Sequence, residues 1–139
     1  MNRLQFDPTG KENMPHFVIP FTMPGLNQYL AECARNPHAG AKIKRDNMLL
    51  ACNSIRRYLK KWKATKPVIV HFHYYQKDKR MDKDNIDSFC RKCVFDALQK
   101  CGVIQNDGWG EIENYTHDFF VDSKNPRIII YLEEVDNEK

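Results

Sequence analysis

No apolar run in the sequence approaches the length of a membrane span, so a helical membrane protein is not the expectation. The first residues, Met1 to Glu12, also lack the apolar stretch of a secretory signal, and a cytoplasmic location is expected. There is no internal repeat and no low-complexity tract, which sets repeat architectures aside. The five cysteines, Cys33, Cys52, Cys90, Cys93 and Cys101, are an odd number without a secretory signal, which argues against a disulfide framework. Cys90-x-x-Cys93 lacks a second Cys-x-x-Cys or His-x-x-x-His pair, and with Cys101 it falls on the apolar stripe of a predicted helix. Buried thiols are therefore expected rather than zinc ligands. The 139 residues are read as one domain, 1–139, long enough to bury a core without staples.

What the sequence does have is an uneven charge. Its net charge is +4, yet Lys42 to Lys83 holds 13 of the 22 Lys and Arg residues and only 3 of the 18 acids. A basic centre in a more acidic remainder fits a localised surface for a polyanion; a solvated helix face would have the same composition. Arg56, Arg57, Lys60, Lys61, Lys79, Arg80, Lys83 and Arg91 are the candidate phosphate contacts.

Hydrophobic periodicity supplies the elements. His16 to Phe21 reads as a strand, with Pro20 ending it or keeping it at an edge. Residues 22–40 carry Pro24-Gly25, Asn36-Pro37 and Gly40 and read as irregular, with a short helical turn near 29–34. Lys42 to Trp62 reads as a helix with Met48, Cys52, Ile55, Leu59 and Trp62 on one stripe. Val68 to Tyr75 is β-branched and aromatic, a strand. A second helix is predicted over Asn85 to Cys101, capped by Asp84 or Asn85 and ended by Gly102. Glu111 to Val121 and Arg127 to Glu133 read as two strands, expected to form a hairpin. The order β-α-β-α-β-β predicts an α+β fold, a small mixed sheet of about four strands under two main helices.

The chemistry is concentrated in Arg80-Met-Asp-Lys-Asp-Asn85. Asp82 and Asp84 stand two residues apart, and in an extended segment they share a side while Lys83 points the other way. Two unpaired carboxylates held together repel, and a hard cation such as Mg²⁺ relieves that repulsion. Asp107 follows in the turn after the helix. It can join the pair only if the chain runs back along the helix, for which Val103 and Ile104 are suitable. Alone, Asp84 reads as a helix cap and Asp107 as a turn residue. His71, His73 and His117 read as surface or packing residues. Among the aromatics Tyr74, Tyr75, Trp62 and Trp109, Trp109 between two glycines and close to Asp107 is the best candidate for stacking on an exposed base.

Arg80-Met-Asp-Lys-Asp-Asn85, Val94-Phe-Asp-Ala-Leu98, Gly102-Val-Ile and Asn106-Asp107, in that order, resemble the core pattern of the RusA-like Holliday-junction resolvases of bacteria and their prophages. The resemblance is close from about Arg80 to Ile112 and loose in the N-terminal third. It implies a homodimeric, Mg²⁺-dependent endonuclease that makes paired nicks in four-way DNA junctions. Asp82, Asp84 and Asp107 would then be the metal-binding catalytic carboxylates, although the family's late motif is often Asp-Asp. The family also carries a lysine four residues before the Asp of Asp-Ala-Leu. Lys92 holds that offset before Asp96, but the spacing from Asp84 is one helical turn longer, which makes Arg91 its competitor. Asp96 is expected in a supporting role or paired with Lys92 or Lys100.

The implied chemistry is metal-assisted hydrolysis of a phosphodiester to 5′-phosphate and 3′-hydroxyl ends, with Lys92 offsetting charge in the transition state. Two other classes remain: a non-catalytic protein that binds branched DNA, and a nuclease for other branched nucleic acids. In each case binding depends steeply on salt. A log–log plot of affinity against salt is expected to fall by about 0.9 for each duplex phosphate contacted. A flat plot contradicts the basic surface.

Overall fold

Val68–Gln76 and Arg127–Glu134 are apolar or aromatic over most of their length, and they form the centre of the sheet. A computed structural model describes residues 14–136; the polar stretch Met1–Glu12 lies outside them. The elements run β1 (His16–Ile19), α1 (Leu26–Arg35), α2 (Pro37–Leu59), β2 (Val68–Gln76), α3 (Lys83–Lys100), β3 (Ile112–Val121) and β4 (Arg127–Glu134). The class is α+β, with a mixed sheet in the order β1-β4-β2-β3. No helix among the described residues is long and apolar enough to cross a membrane.

The expected β3–β4 hairpin does not form. β3 pairs in parallel with β2, and β4 lies on the other side of β2, antiparallel to both β2 and β1. Burial decides the order. β2 and β4 are buried along almost their whole length, whereas β3 is half-buried at Ile112, Thr116 and Phe119 and exposed elsewhere. A strand reading Ile-Glu-Asn-Tyr-Thr-His-Asp loses least at an edge, and Arg-Ile-Ile-Ile-Tyr-Leu gains most between two neighbours. The connection 122–126 crosses the end of β2. There the Asp122 N–H donates to the Gln76 carbonyl at 2.8 Å, and the Arg127 guanidinium lies 3.9 Å from the centre of the Tyr75 ring.

Helix begins earlier than the breakers suggest. Asn36 ends α1 by donating its N–H to the Glu32 carbonyl, and it starts α2 by accepting from the His38 N–H at 2.8 Å. Pro37 then occupies the first helical position, where its missing N–H costs nothing. Gly40 lies inside α2, and a Cβ there would collide with the Cys33 Sγ of α1. The Asn-Pro and Gly signals thus mark a helix start and a close helix crossing. In α3 the predicted stripe is the buried one: Ile86, Phe89, Cys90, Cys93, Val94, Ala97 and Leu98 are all in the core. Gly102, at φ 75°, closes the helix as expected, with the Val103 N–H donating to the Leu98 carbonyl.

The Gly40 crossing is testable. Gly40→Val must push α1 and α2 apart and is expected to lower stability by about 1–3 kcal/mol in urea unfolding. An unchanged midpoint contradicts the close packing.

Candidate active site

α3 sets where the candidate carboxylates stand, Asp82 and Asp84 at its start and Asp107 beyond its end. Asp82 is its N-cap residue, but its carboxylate makes no capping hydrogen bond. Asp84 is in the first turn and exposed, and Ser88 Oγ donates to its Oδ1 at 3.1 Å. Asn85 turns to α1 instead, accepting from the Asn27 N–H at 2.8 Å. Lys79, Arg80 and Lys83 are close in sequence, yet no ion pair involves Asp82 or Asp84 among the described residues; Arg80 pairs with Asp78.

Lys83 does not point away from the pair. It lines two adjacent cavities, one of about 790 Å³ that also contains Asp82 and one of about 500 Å³ that also contains Asp84. Its ammonium lies 5.6 Å from the centre of the Phe119 ring. The local backbone explains this. Helix begins at residue 83, so an extended-chain alternation does not apply across 82–84.

Asp107 is not beside the early pair in the same chain. After Lys100 the chain turns at once: the Val103 and Ile104 N–H groups both bond back to the Leu98 carbonyl, and the Ala64 N–H donates to the Val103 carbonyl. Val103 and Ile104 are buried there rather than forming a return path along the helix. β3 then starts at Ile112 opposite Val68, the end of the sheet remote from Gln76 and residues 77–84. An 18-residue helix is roughly 27 Å long, so the two acidic positions lie at its opposite ends. Among the described residues, no group of three or more His, Cys, Asp or Glu side chains is placed to hold a metal ion.

The basic residues divide likewise. Arg56, Arg57, Lys60 and Lys61, all exposed, stand at the C-terminal end of α2 on the Asp107 side. Lys79, Arg80 and Lys83 stand at the Asp82 side. The single basic window of the sequence is therefore two patches. Lys92 is exposed and lines none of the cavities beside Asp82 or Asp84, whereas Arg91 lines the cavity of Asp84. Asp84, Asp87 and Arg91 follow a three- and four-residue spacing along one helix face, and Lys92 is a residue off it. Asp96 pairs with neither Lys92 nor Lys100 but with Lys44 of α2, at 2.9 Å.

Asp87 was not singled out by the sequence. It is buried, accepts from Tyr74 Oη at 2.7 Å and from Arg91 Nε at 2.9 Å, and has His117 Nδ1 at 3.5 Å. Arg91 also lies over the Tyr115 ring at 4.5 Å, so its position is fixed from two sides. The only local signal was an acid four residues before an arginine; the strand partners Tyr74 and His117 come from elsewhere in the chain. Tyr74 and Tyr75 are core residues and unavailable to a base, while Trp109 is 98% exposed. His71 is tied to Thr116 and Glu133, a structural role. The buried thiols behave as expected of hydrophobic residues: burial raises Cys52 to about 11 and Cys93 to about 12, and Cys90 higher still.

The sequence matches no protein-family model, and no curated protein matches it closely enough to count as a relative.

Two outcomes check this geometry. Asp87→Ala leaves Arg91 without its buried partner and is expected to cost about 3 kcal/mol, whereas Asp84→Asn should stay within about 0.5 kcal/mol of the parent. Equal losses in urea unfolding contradict the division of roles. At pH 8 the raised thiols stay protonated, so a thiol reagent should reach Cys52, Cys90 and Cys93 only after unfolding.

Proposed function

We propose that this chain is a Mg²⁺-dependent, structure-selective endonuclease of branched DNA, with four-way junctions as its substrate class, and that it works as a homodimer. One observation carries the reading: Asp82 and Asp84 are exposed within a basic segment, and neither has an ion-pair partner among the described residues. Carboxylates left unpaired among available cations weaken DNA binding unless they have another use. Holding a hard cation is such a use. The likeness of residues 80–112 to the RusA-like pattern points the same way.

The donor set fits that cation only in part within one chain. Asp82 and Asp84 supply carboxylate oxygens at one end of α3, and Asp107 supplies one at the other. Two copies with antiparallel α3 helices bring the Asp107 end of each beside the Asp82 end of its partner. The site is then completed twice, related by a two-fold axis, as two symmetric strands of a junction require. The cation, when bound, supplies Lewis-acid polarisation of a phosphate oxygen and a water of lowered pKa.

The remaining work falls to side chains. Arg91, anchored through Nε by Asp87, offers the rest of its guanidinium to a phosphate beside Asp84. Its position favours it over Lys92 for the charge-offsetting role. The dimer also alternates the two basic patches, so that each acidic site is flanked by Lys79, Arg80 and Lys83 of its own chain and by the partner's Arg56, Arg57, Lys60 and Lys61. Trp109, exposed close to Asp107, is placed to stack on an unpaired base at a branch point.

The test is a nicking assay on a synthetic four-way junction with Mg²⁺ or EDTA. Asp82→Asn and Asp107→Asn are each expected to abolish cutting while retaining junction binding. Mixing the two variants regenerates one intact site per mixed dimer and should restore nicks in one strand only. Cutting by Asp82→Asn alone, or binding without any cutting by the parent chain, contradicts the proposal.

A further inference from the structure

β3 is a long open edge. Among the described residues it pairs only with β2, and after the irregularity at its start it runs regularly from Asn114 to Val121. Natural edges are commonly blunted by lysine, proline or a bulge, and Ile112–Val121 contains no Lys, Arg or Pro. Tyr115, Phe120 and Val121 are exposed on it at 38%, 37% and 49%.

Its outward hydrogen-bonding groups can be assigned. The Tyr115 N–H donates to the Oδ1 of its own neighbour Asn114, as an N–H facing away from β2 does. The Asp122 N–H faces β2, donating to the Gln76 carbonyl. Alternation along the strand then directs the N–H and C=O of His117, Phe119 and Val121 outward with those of Tyr115.

We propose that β3 is the surface by which two copies of this chain meet, pairing antiparallel with the partner's β3 about a two-fold axis through His117. This deepens the homodimer reading given above and rests on it. In this register Tyr115 faces the partner's Phe119 on the helix-covered side, and Thr116 faces the partner's Asp118 on the other. Shifting one way by a repeat sets Asp118 against the partner's Asp118, a direct like-charge contact. Shifting the other way sets Glu113 against the partner's Phe119 and loses the aromatic pair. The His117 register alone keeps the aromatic pair and avoids the repulsion. It also sets the partner's Glu113 beside Val121. The partner's segment 101–111, with its Asp107, thereby comes to the end of the sheet where Asp82 lies.

The experiment combines cross-linking with sedimentation. His117→Cys places two thiols across the axis, where opposed Cα atoms in a hydrogen-bonded pair are about 5.5 Å apart, within disulfide reach. Under mild oxidant it should form a covalent dimer on a non-reducing gel. Glu113→Cys, far from its own symmetry mate, and the parent chain with its five native cysteines should not. His117→Pro removes an outward N–H that β2 does not use, and an edge strand accepts proline there. It should sediment as a monomer with an unchanged far-UV spectrum. If His117→Pro fails to fold, the cross-linking result decides alone. A dimeric parent whose His117→Cys form does not cross-link overturns this surface, while its junction nicking, assayed separately, still upholds the nuclease reading. Cross-linking through His117 by a chain that cuts no junction upholds the surface and rejects the nuclease. A monomeric parent overturns both.

Discussion

The length of α3 is the constraint from which the rest follows. Its 18 residues form a rod of roughly 27 Å, with Asp82 and Asp84 at one end and Asp107 just past the other. A helix of this length cannot bend its ends together. Its buried stripe, from Ile86 to Leu98, packs it onto the core along its whole length. The early and late acids are therefore separate features of one chain. In the proposed dimer, a second copy laid against the first in the opposite direction makes them a single feature.

The same rod organises the charged side chains around it. Its inner face carries Asp87, whose buried carboxylate links Tyr74 of β2, Arg91 of α3 and His117 of β3. A buried acid with an arginine and a tyrosine hydroxyl as partners is stable where an isolated one is not, and removing one partner strands the others. One consequence is a guanidinium held beside Asp84 rather than mobile on the surface. Asp96 serves a plainer purpose, tying α3 to α2 through Lys44.

Much of the fold was legible from periodicity. The α3 stripe, the Gly102 stop and the four strands are all local patterns, and local patterns are what a sequence displays directly. Two features were misread for physical reasons. Asn36-Pro37 and Gly40 look like breakers, yet a capping Asn, a Pro at the first helical position and a Gly at a helix crossing all favour the longer α2. The β3–β4 turn looks like a hairpin, but strand order depends on which strands gain most from burial, a comparison across the whole sheet. The candidate site divided in the same way. Asp82 and Asp84 were visible as a short motif. The position of Asp107, the orientation of Lys83 and the partners of Asp87 depended on contacts distant in the chain, and only the fold supplies those.

Whether acids from two copies hold a cation is read most directly from the affinity for Mn²⁺ as an Mg²⁺ stand-in, followed by its paramagnetic signal across a range of protein concentrations. Tight binding should appear only as the chain dimerises, with one ion or ion cluster per Asp82–Asp107 pairing, and Asp107→Asn should abolish it without changing the fold. The same tight affinity in dilute monomer, unchanged by Asp107→Asn, contradicts a cation site shared between two copies.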